Sequence, residues 1–250
     1  MNALIAIPDI HGRLDKLQNL LGTLCLLGYS LDNLVFLGDF IDRGRDSAQI
    51  LDWLIQHKAR YPSTVILRGN HEEMMLDHVE SGDETWFRPN NGGIATLESY
   101  RRFFREDFRS TIHFHRALRE SGHLEFLQSL PRYYETQNYF FSHAPIPKAM
   151  YWPSSGLTTN KDLPFPEELY CWSYPGRVPE DDFAHAHPGR YAVCGHIHRL
   201  REEIFEARRY GHITFLDAGC GCHPKAPLAA LVLPLEREEG QEEEEILYSL

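Results

Sequence analysis

Seven side chains in this 250-residue sequence share one chemical character and one setting. They are Asp9 and His11 in "DIHG", Asp39 in "GDFIDRG", Asn70 in "RGNHE", His143 in "SHA", and His196 and His198 in "GHIH". Carboxylates, imidazoles and a carboxamide make a mixed hard and borderline ligand set. It suits Mn, Fe, Zn, Co or Ni better than Ca, and the lack of thiolates argues against a structural zinc site. Seven donors are too many for one tetrahedral ion and suit two ions sharing a carboxylate. Asp39 is the expected bridge, because its motif comes second and sits centrally in the chain order. Two ions about 3.5–4 Å apart can hold a hydroxide between them and clamp a tetrahedral phosphate. Coordination lowers the pKa of water from about 15.7 toward 7, so no Ser or Cys nucleophile is required. Arg43 and Arg68 can each donate paired hydrogen bonds to phosphate oxygens. His71, beside Asn70, is placed to protonate a departing alkoxide, with Asp42 accepting from its other ring nitrogen.

Taken singly, these residues have plainer readings. Asp9 and His11 fit an ordinary strand-to-turn edge, and His196 and His198 fit surface histidines. Asp46 in "DRGRDS" reads as a helix N-cap, a role it can hold in addition. His113 and His115 share the latter spacing inside a helical stretch, and His185 and His187 precede a strand, so neither pair joins the set. Trp86, Phe87, Trp152 and Trp172 read as packing residues. The ordered series of five motifs carries the argument, not any one of them.

Donors so far apart in sequence can meet only if the fold delivers them to one rim. Five segments have that grammar, an apolar strand followed by polar residues: "ALIAIP", "NLVFLG", "TVILRG", "NYFFS" and "RYAVCG". Between the first three lie stretches of helical spacing, residues 13 to 28 and 46 to 60, with Leu14, Leu17, Leu20, Leu21 and Leu24 along one face. Alternating strand and helix implies right-handed crossovers and helix-covered sheets whose strands end together. Residues 71 to 130 read as a helical insertion. "YYETQNYFFSHA" reads as a hairpin turning near Gln137 and Asn138. Residues 144 to 190 read as loops around the site, and "HITFLDAG" and "LAALVLPL" as two strands closing the edge of a second sheet. No repeat or linker divides the chain, so residues 1 to 250 are expected to form one domain.

The motif series resembles that of the calcineurin-like metallophosphoesterases. Its "DRG" and "GNHE" forms are similar to the phosphoprotein phosphatase branch, which includes protein serine/threonine phosphatases and symmetrical diadenosine tetraphosphatases. "FLDAGCG" resembles a late strand and turn of the family, so the likeness covers nearly the whole chain. The resemblance implies an α/β fold of two mixed β-sheets packed as a sandwich and flanked by helices, with a dimetal site at the strand C-terminal ends. It implies Asp9, His11, Asp39 and His198 on one metal, and Asp39, Asn70, His143 and His196 on the other. It also implies His71 as general acid with Asp42, and Arg43 and Arg68 on phosphate. One departure is "CWSYPGR", with Tyr174 where serine/threonine members carry Asp. That departure bears on substrate choice, and Arg177 close by is a further candidate phosphate contact.

Composition narrows the partners. A formal charge of −11 argues against broad nucleic-acid binding, and no apolar run reaches a bilayer span. The N-terminal segment has no basic leader or cleavage site, and five cysteines at irregular spacing fit reduced thiols. Seven Glu crowd residues 236 to 250, read as a solvated acidic tail. The expectation is therefore a cytoplasmic, monomeric phosphomonoesterase that uses two divalent ions, manganese first, on phosphorylated protein or a small phosphoester. A dinucleoside polyphosphate or other nucleotide is the alternative substrate. A non-catalytic metal-binding module is a third reading, disfavoured because His71 and Asp42 would have no purpose in it.

Overall fold

The structure is a computed structural model, which describes residues 3–108, 110–145, 171, 190–198, 205–235 and 244–249. Five strands make the first sheet, in the order β10 (Glu245–Tyr248), β9 (Ala229–Leu233), β1 (Leu4–Ile7), β2 (Leu34–Phe36), β3 (Val65–Ile66). Five make the second, in the order β4 (Tyr133–Glu135), β5 (Tyr139–Ser142), β6 (Tyr191–Cys194), β8 (Ile213–Phe215), β7 (Arg208–Tyr210). Each sheet has three parallel strands, β1–β2–β3 in one and β5–β6–β8 in the other, with antiparallel strands beside them. The expected hairpin is β4 and β5, closed by Thr136 N donating to Tyr139 O at 2.9 Å.

Alternation along the strands sorts side chains into two cores. Leu4, Ala6, Val35 and Leu37 meet Tyr139, Phe141, Tyr191 and Val193 between the sheets, which makes the sandwich. Ile5, Ile7 and Phe36 point the other way, onto helices α1 (Leu14–Leu26) and α2 (Ser47–Arg60). Helix α1 presents Leu17, Leu20, Leu21 and Leu24, the apolar face its spacing predicts. The expected insertion contains α3 (Asn70–Ser81), a 3₁₀ turn (Thr85–Phe87), α4 (Gly93–Phe104), α5 (Thr111–Glu120) and α6 (His123–Ser129).

Two expectations need correction. "LAALVLPL" is not an edge of the second sheet but lies inside the first, antiparallel to β1. Its alternate residues explain the placement: Leu231 and Leu233 face the sandwich interior, while Ala230 and Val232 face the helix side. A strand apolar on both faces belongs in a sheet interior. The acidic terminus is also not solvated throughout, since Glu245–Tyr248 pairs with β9 as an outer strand. Charge at an edge is tolerated, and the run hides an alternation in which Ile246 and Tyr248 reach the inter-sheet core.

Candidate active site and metal centre

Every parallel strand ends in a polar residue at the same rim. Asp9 and His11 follow β1, Asp39 follows β2, and Asn70 and His71 follow β3 as the first residues of α3. His143 follows β5, His196 and His198 follow β6, and Asp217 follows β8. The turns are forced. Of six non-glycine residues with positive φ among the described residues, five are His11, Asp39, Asp42, Arg43 and His196. Such conformations cost roughly 1–3 kcal/mol each and persist where the surroundings impose them, commonly at functional sites. Gly69 is required for close approach, because a Cβ there would overlap the Asp39 carboxylate.

The donors converge on one atom. Asp39 Oδ2 lies 3.4 Å from His143 Nε2, 3.6 Å from His11 Nε2 and 3.8 Å from His71 Nε2. Two triples share it, His11–Asp39–His71 and Asp39–His143–His196, each with donor atoms within 4.8 Å of one another. Asp9 Oδ2 stands 3.9 Å from His11 Nε2, and Asn70 Oδ1 2.9 Å from His143 Nε2. His198 is in neither triple.

This arrangement fits cations. His11 Nδ1 donates to Ile41 O and His143 Nδ1 to Leu37 O, both at 2.9 Å, which leaves each Nε2 lone pair facing the cluster. His143 Nε2 then confronts Asn70 Oδ1 lone pair to lone pair, a contact that needs a positive charge beside it. The carboxylates make the same point. Burial, then Asp217 and Asp39, push the Asp9 carboxyl well above its usual range, and burial also raises Asp217. Burial works against ionising Asp39 too, and what holds it below the ordinary value is positive charge on His143, His71 and His11, which burial opposes on His143 and His11. Three buried acids cannot all ionise on the protein's own charges, and divalent cations would let them. Asp217 Oδ2 and His198 Nδ1 are buried with no hydrogen-bond partner among the described residues.

Around this centre the other groups take distinct parts. Burial keeps His11, His143 and His196 below the usual imidazole range, the neutral form a ligand requires. His71 differs: burial is outweighed by Asp39 and Asp42, so its pKa rises. Its Nδ1 lies 2.7 Å from Asp42 Oδ2, the pairing the sequence predicts. Arg43 links two of the rings, with Nη1 2.6 Å from His11 Nε2 and Nη2 3.1 Å from His71 Nε2.

Arg68 takes other partners. Its guanidinium donates to Glu73 Oε1 at 3.3 Å and to Gln128 O at 2.6 Å, tying α3 to α6 rather than facing the cluster. Arg177, Trp152, Trp172, Tyr174, His185 and His187 lie outside the described residues.

Three residues escaped the sequence reading. Asp217 ends a strand by the same grammar as the others, a signal that was present in "HITFLDAG". Glu72 accepts from Asp39 N and Phe40 N at 2.8 Å and Gly69 N at 2.9 Å, locking two motif loops together. Burial and Asp39 push its carboxyl up to about 7, against those N–H donors. Cys222 Sγ sits 2.7 Å from Arg43 Nη1, and nothing in its turn announces that contact.

Comparison with known proteins agrees with this fold. The sequence profile of calcineurin-like phosphoesterases matches residues 3–200. The catalytic subunit of serine/threonine-protein phosphatase 6 from Drosophila melanogaster is 42% identical over 72 residues, 28% of this chain and 23% of that protein. The chain therefore matches less than a quarter of that curated relative's length. Among solved structures, a protein serine/threonine phosphatase of Saccharomyces cerevisiae superposes with a TM-score of 0.61 at 15% identity, covering 99% of this chain and 79% of its own. A cold-active protein-tyrosine phosphatase of a psychrophilic Shewanella gives 0.56 at 17%, covering 92% and 76%. A candidate diadenosine tetraphosphatase gives 0.55 at 17%, covering 99% and 94%. At these identities the likeness is one of fold.

Proposed function

The chain belongs to the calcineurin-like phosphoesterase family, enzymes with a dinuclear metal centre, and on that premise we propose that it hydrolyses phosphomonoesters of poor leaving groups. Phosphoserine and phosphothreonine in proteins come first, with phosphotyrosine as a further substrate. The observation that carries this reading is the His71–Asp42 pair, whose outer Nε2 faces the donor cluster and Arg43. A positioned proton donor matters most when the leaving oxygen would otherwise depart as an alkoxide. Nitrophenolates and nucleoside phosphates leave readily without one, and a tyrosine phenolate, of pKa about 10, needs it less than an alkoxide does.

Asp9, His11, Asp39 and His198 would hold one divalent cation, and Asp39, Asn70, His143 and His196 the other, with manganese as the proposed ion. Bound there, the cations supply an acidified water as nucleophile and neutralise phosphoryl oxygens. Arg43 presents its planar fork to those oxygens. His71 Nε2 donates its proton to the leaving oxygen, while Asp42 holds the opposite ring nitrogen. Five free thiols support a reducing, cytoplasmic setting. Among the described residues no helix is long and apolar enough to cross a membrane. The chain is proposed to act as a monomer without nucleic acid, in keeping with its charge of −11.

His71→Asn tests the assignment. The variant should keep its metals and lose about 100-fold in kcat on a phosphoserine peptide, with a much smaller loss on p-nitrophenyl phosphate. Unchanged kcat on the peptide would remove His71 as the acid. A second reading, hydrolysis of diadenosine tetraphosphate, is favoured by the near-complete mutual coverage with the candidate diadenosine tetraphosphatase. Side-by-side rates on phosphopeptides and diadenosine tetraphosphate decide between them, and a clear preference for the nucleotide would displace the first.

A further inference from the structure

The helical block between β3 and β4 reaches the site through Asp42. That residue is fully buried, so its carboxylate must find donors within the protein. His71 Nδ1 supplies one, and the other two come from the helical block. Thr96 Oγ1, on α4, donates to Asp42 Oδ1 at 2.6 Å. Trp86 Nε1, in the 3₁₀ turn, straddles both carboxylate oxygens at 2.9 and 3.0 Å. The Asp42 backbone is gripped as well: its N–H points at Thr96 Oγ1 at 2.9 Å and Ser47 Oγ at 3.1 Å, which fixes a residue held at φ 70°. Trp86 is in turn locked by stacking on Phe114, ring centroids 5.5 Å apart. The side-chain hydrogen bonds of Trp86 and Thr96 go to Asp42 and Ser47, and none goes to the ligand cluster.

We infer that Trp86 and Thr96 are positioning residues for the proton-transfer step, holding the Asp42 carboxylate in the one orientation that aims His71. The inference rests on the role given to His71 and Asp42 above. A buried carboxylate stripped of a donor turns to find another. Because Asp42 Oδ2 is what orients the imidazole, the loss would appear at His71 Nε2, several bonds away. Hydrogen-bond partners one shell out from metal ligands are commonly worth about 10–100-fold in activity, and a loss on that order is expected one shell out from His71.

Three variants separate positioning from plain packing. Thr96→Val keeps the shape and removes the O–H, Thr96→Ser keeps the O–H, and Trp86→Phe keeps an aromatic ring and removes the N–H. In the metal-loaded full chain, Thr96→Val and Trp86→Phe should each lose about ten-fold or more in kcat on a phosphoserine peptide, with KM within about two-fold. On p-nitrophenyl phosphate, which scarcely needs a proton, both should stay within about two-fold of the parent, and Thr96→Ser should do so on both substrates. Equal losses on the two substrates, or a Thr96→Ser loss as large as that of Thr96→Val, would overturn the inference. The two deletions remove different donors, so either folded variant carries the test. His71→Asn run alongside keeps the two levels apart. If it too lacks leaving-group selectivity, the acid assignment itself fails; if it alone shows selectivity, only the role of Trp86 and Thr96 falls.

Discussion

One oxygen, Asp39 Oδ2, organises the site, with three imidazole nitrogens 3.4 to 3.8 Å away. At the residue scale, side-chain type was readable from sequence and side-chain direction was not. Asp39, in the turn after β2, and His71, in the first turn of α3, come within 3.8 Å, and Asp42 Oδ2 lies 2.7 Å from His71 Nδ1. Arg68 has the right chemistry for phosphate, but Glu73 and the Gln128 carbonyl claim it, and nothing in "RGNHE" encodes that. Two substitutions expose the difference. Arg43→Met should raise KM for p-nitrophenyl phosphate by roughly ten-fold or more, since hydrogen bonds to charged groups are worth about 1.5–3 kcal/mol. Arg68→Met should leave KM within about two-fold and lower the denaturant midpoint instead, because Glu73 loses a partner. A KM that rises with Arg68→Met would return that residue to the substrate. Glu72→Gln should cost about 2 kcal/mol in unfolding free energy, because an amide nitrogen cannot accept from the backbone N–H groups the carboxylate now serves. Equal stability of parent and variant would show that Glu72 does not hold the loops.

At the element scale the legible parts were those with strong period or strong polarity contrast. Helix α1 and strands β1, β2, β5 and β6 announce themselves by apolar spacing followed abruptly by ligands. Strand β9 was seen but put in the wrong sheet, since an apolar run says that both faces are covered and not by what. Strand β10 was hidden by its glutamates, and β7, only three residues long, has too little pattern to detect. The junction of α4 and α6 carries its own test. His123, fully buried, has its Nδ1 2.6 Å from Tyr100 Oη, and burial pulls its pKa down to about 4. An imidazole in the unfolded chain takes its proton near pH 6.5. The unfolded state therefore binds the extra proton first as pH falls. Stability present above about pH 6.5 should be lost toward about pH 4, with a ceiling of about 3 kcal/mol from this group. Unfolding free energies of parent and His123→Gln at pH 7 and pH 4.5 should diverge in slope, with the variant shallower. Parallel slopes would contradict a buried neutral His123.

At the scale of the whole molecule, the site lies on the seam between the two sheets. The first contributes Asp9, His11, Asp39, Asn70 and His71, and the second His143, His196, His198 and Asp217. Hydrogen bonds cross that seam at the rim, among them His143 Nδ1 to Leu37 O and His196 N to Asp9 Oδ1, each 2.9 Å. Cations held by both sets would stitch the sheets together, so metal should be a stability term and not only a reagent. At a free ion concentration 100 times the dissociation constant the gain is about 2.7 kcal/mol, or about 5–10 °C in Tm for a chain of this size. The most direct test of the central claim, that Asp39 joins two cation sites, is metal content. Chelator-treated chain reloaded with excess Mn²⁺ and then desalted should retain about two equivalents, and Asp39→Asn under one. Parent chain that keeps no metal, or an Asp39→Asn variant that keeps both ions, would contradict it.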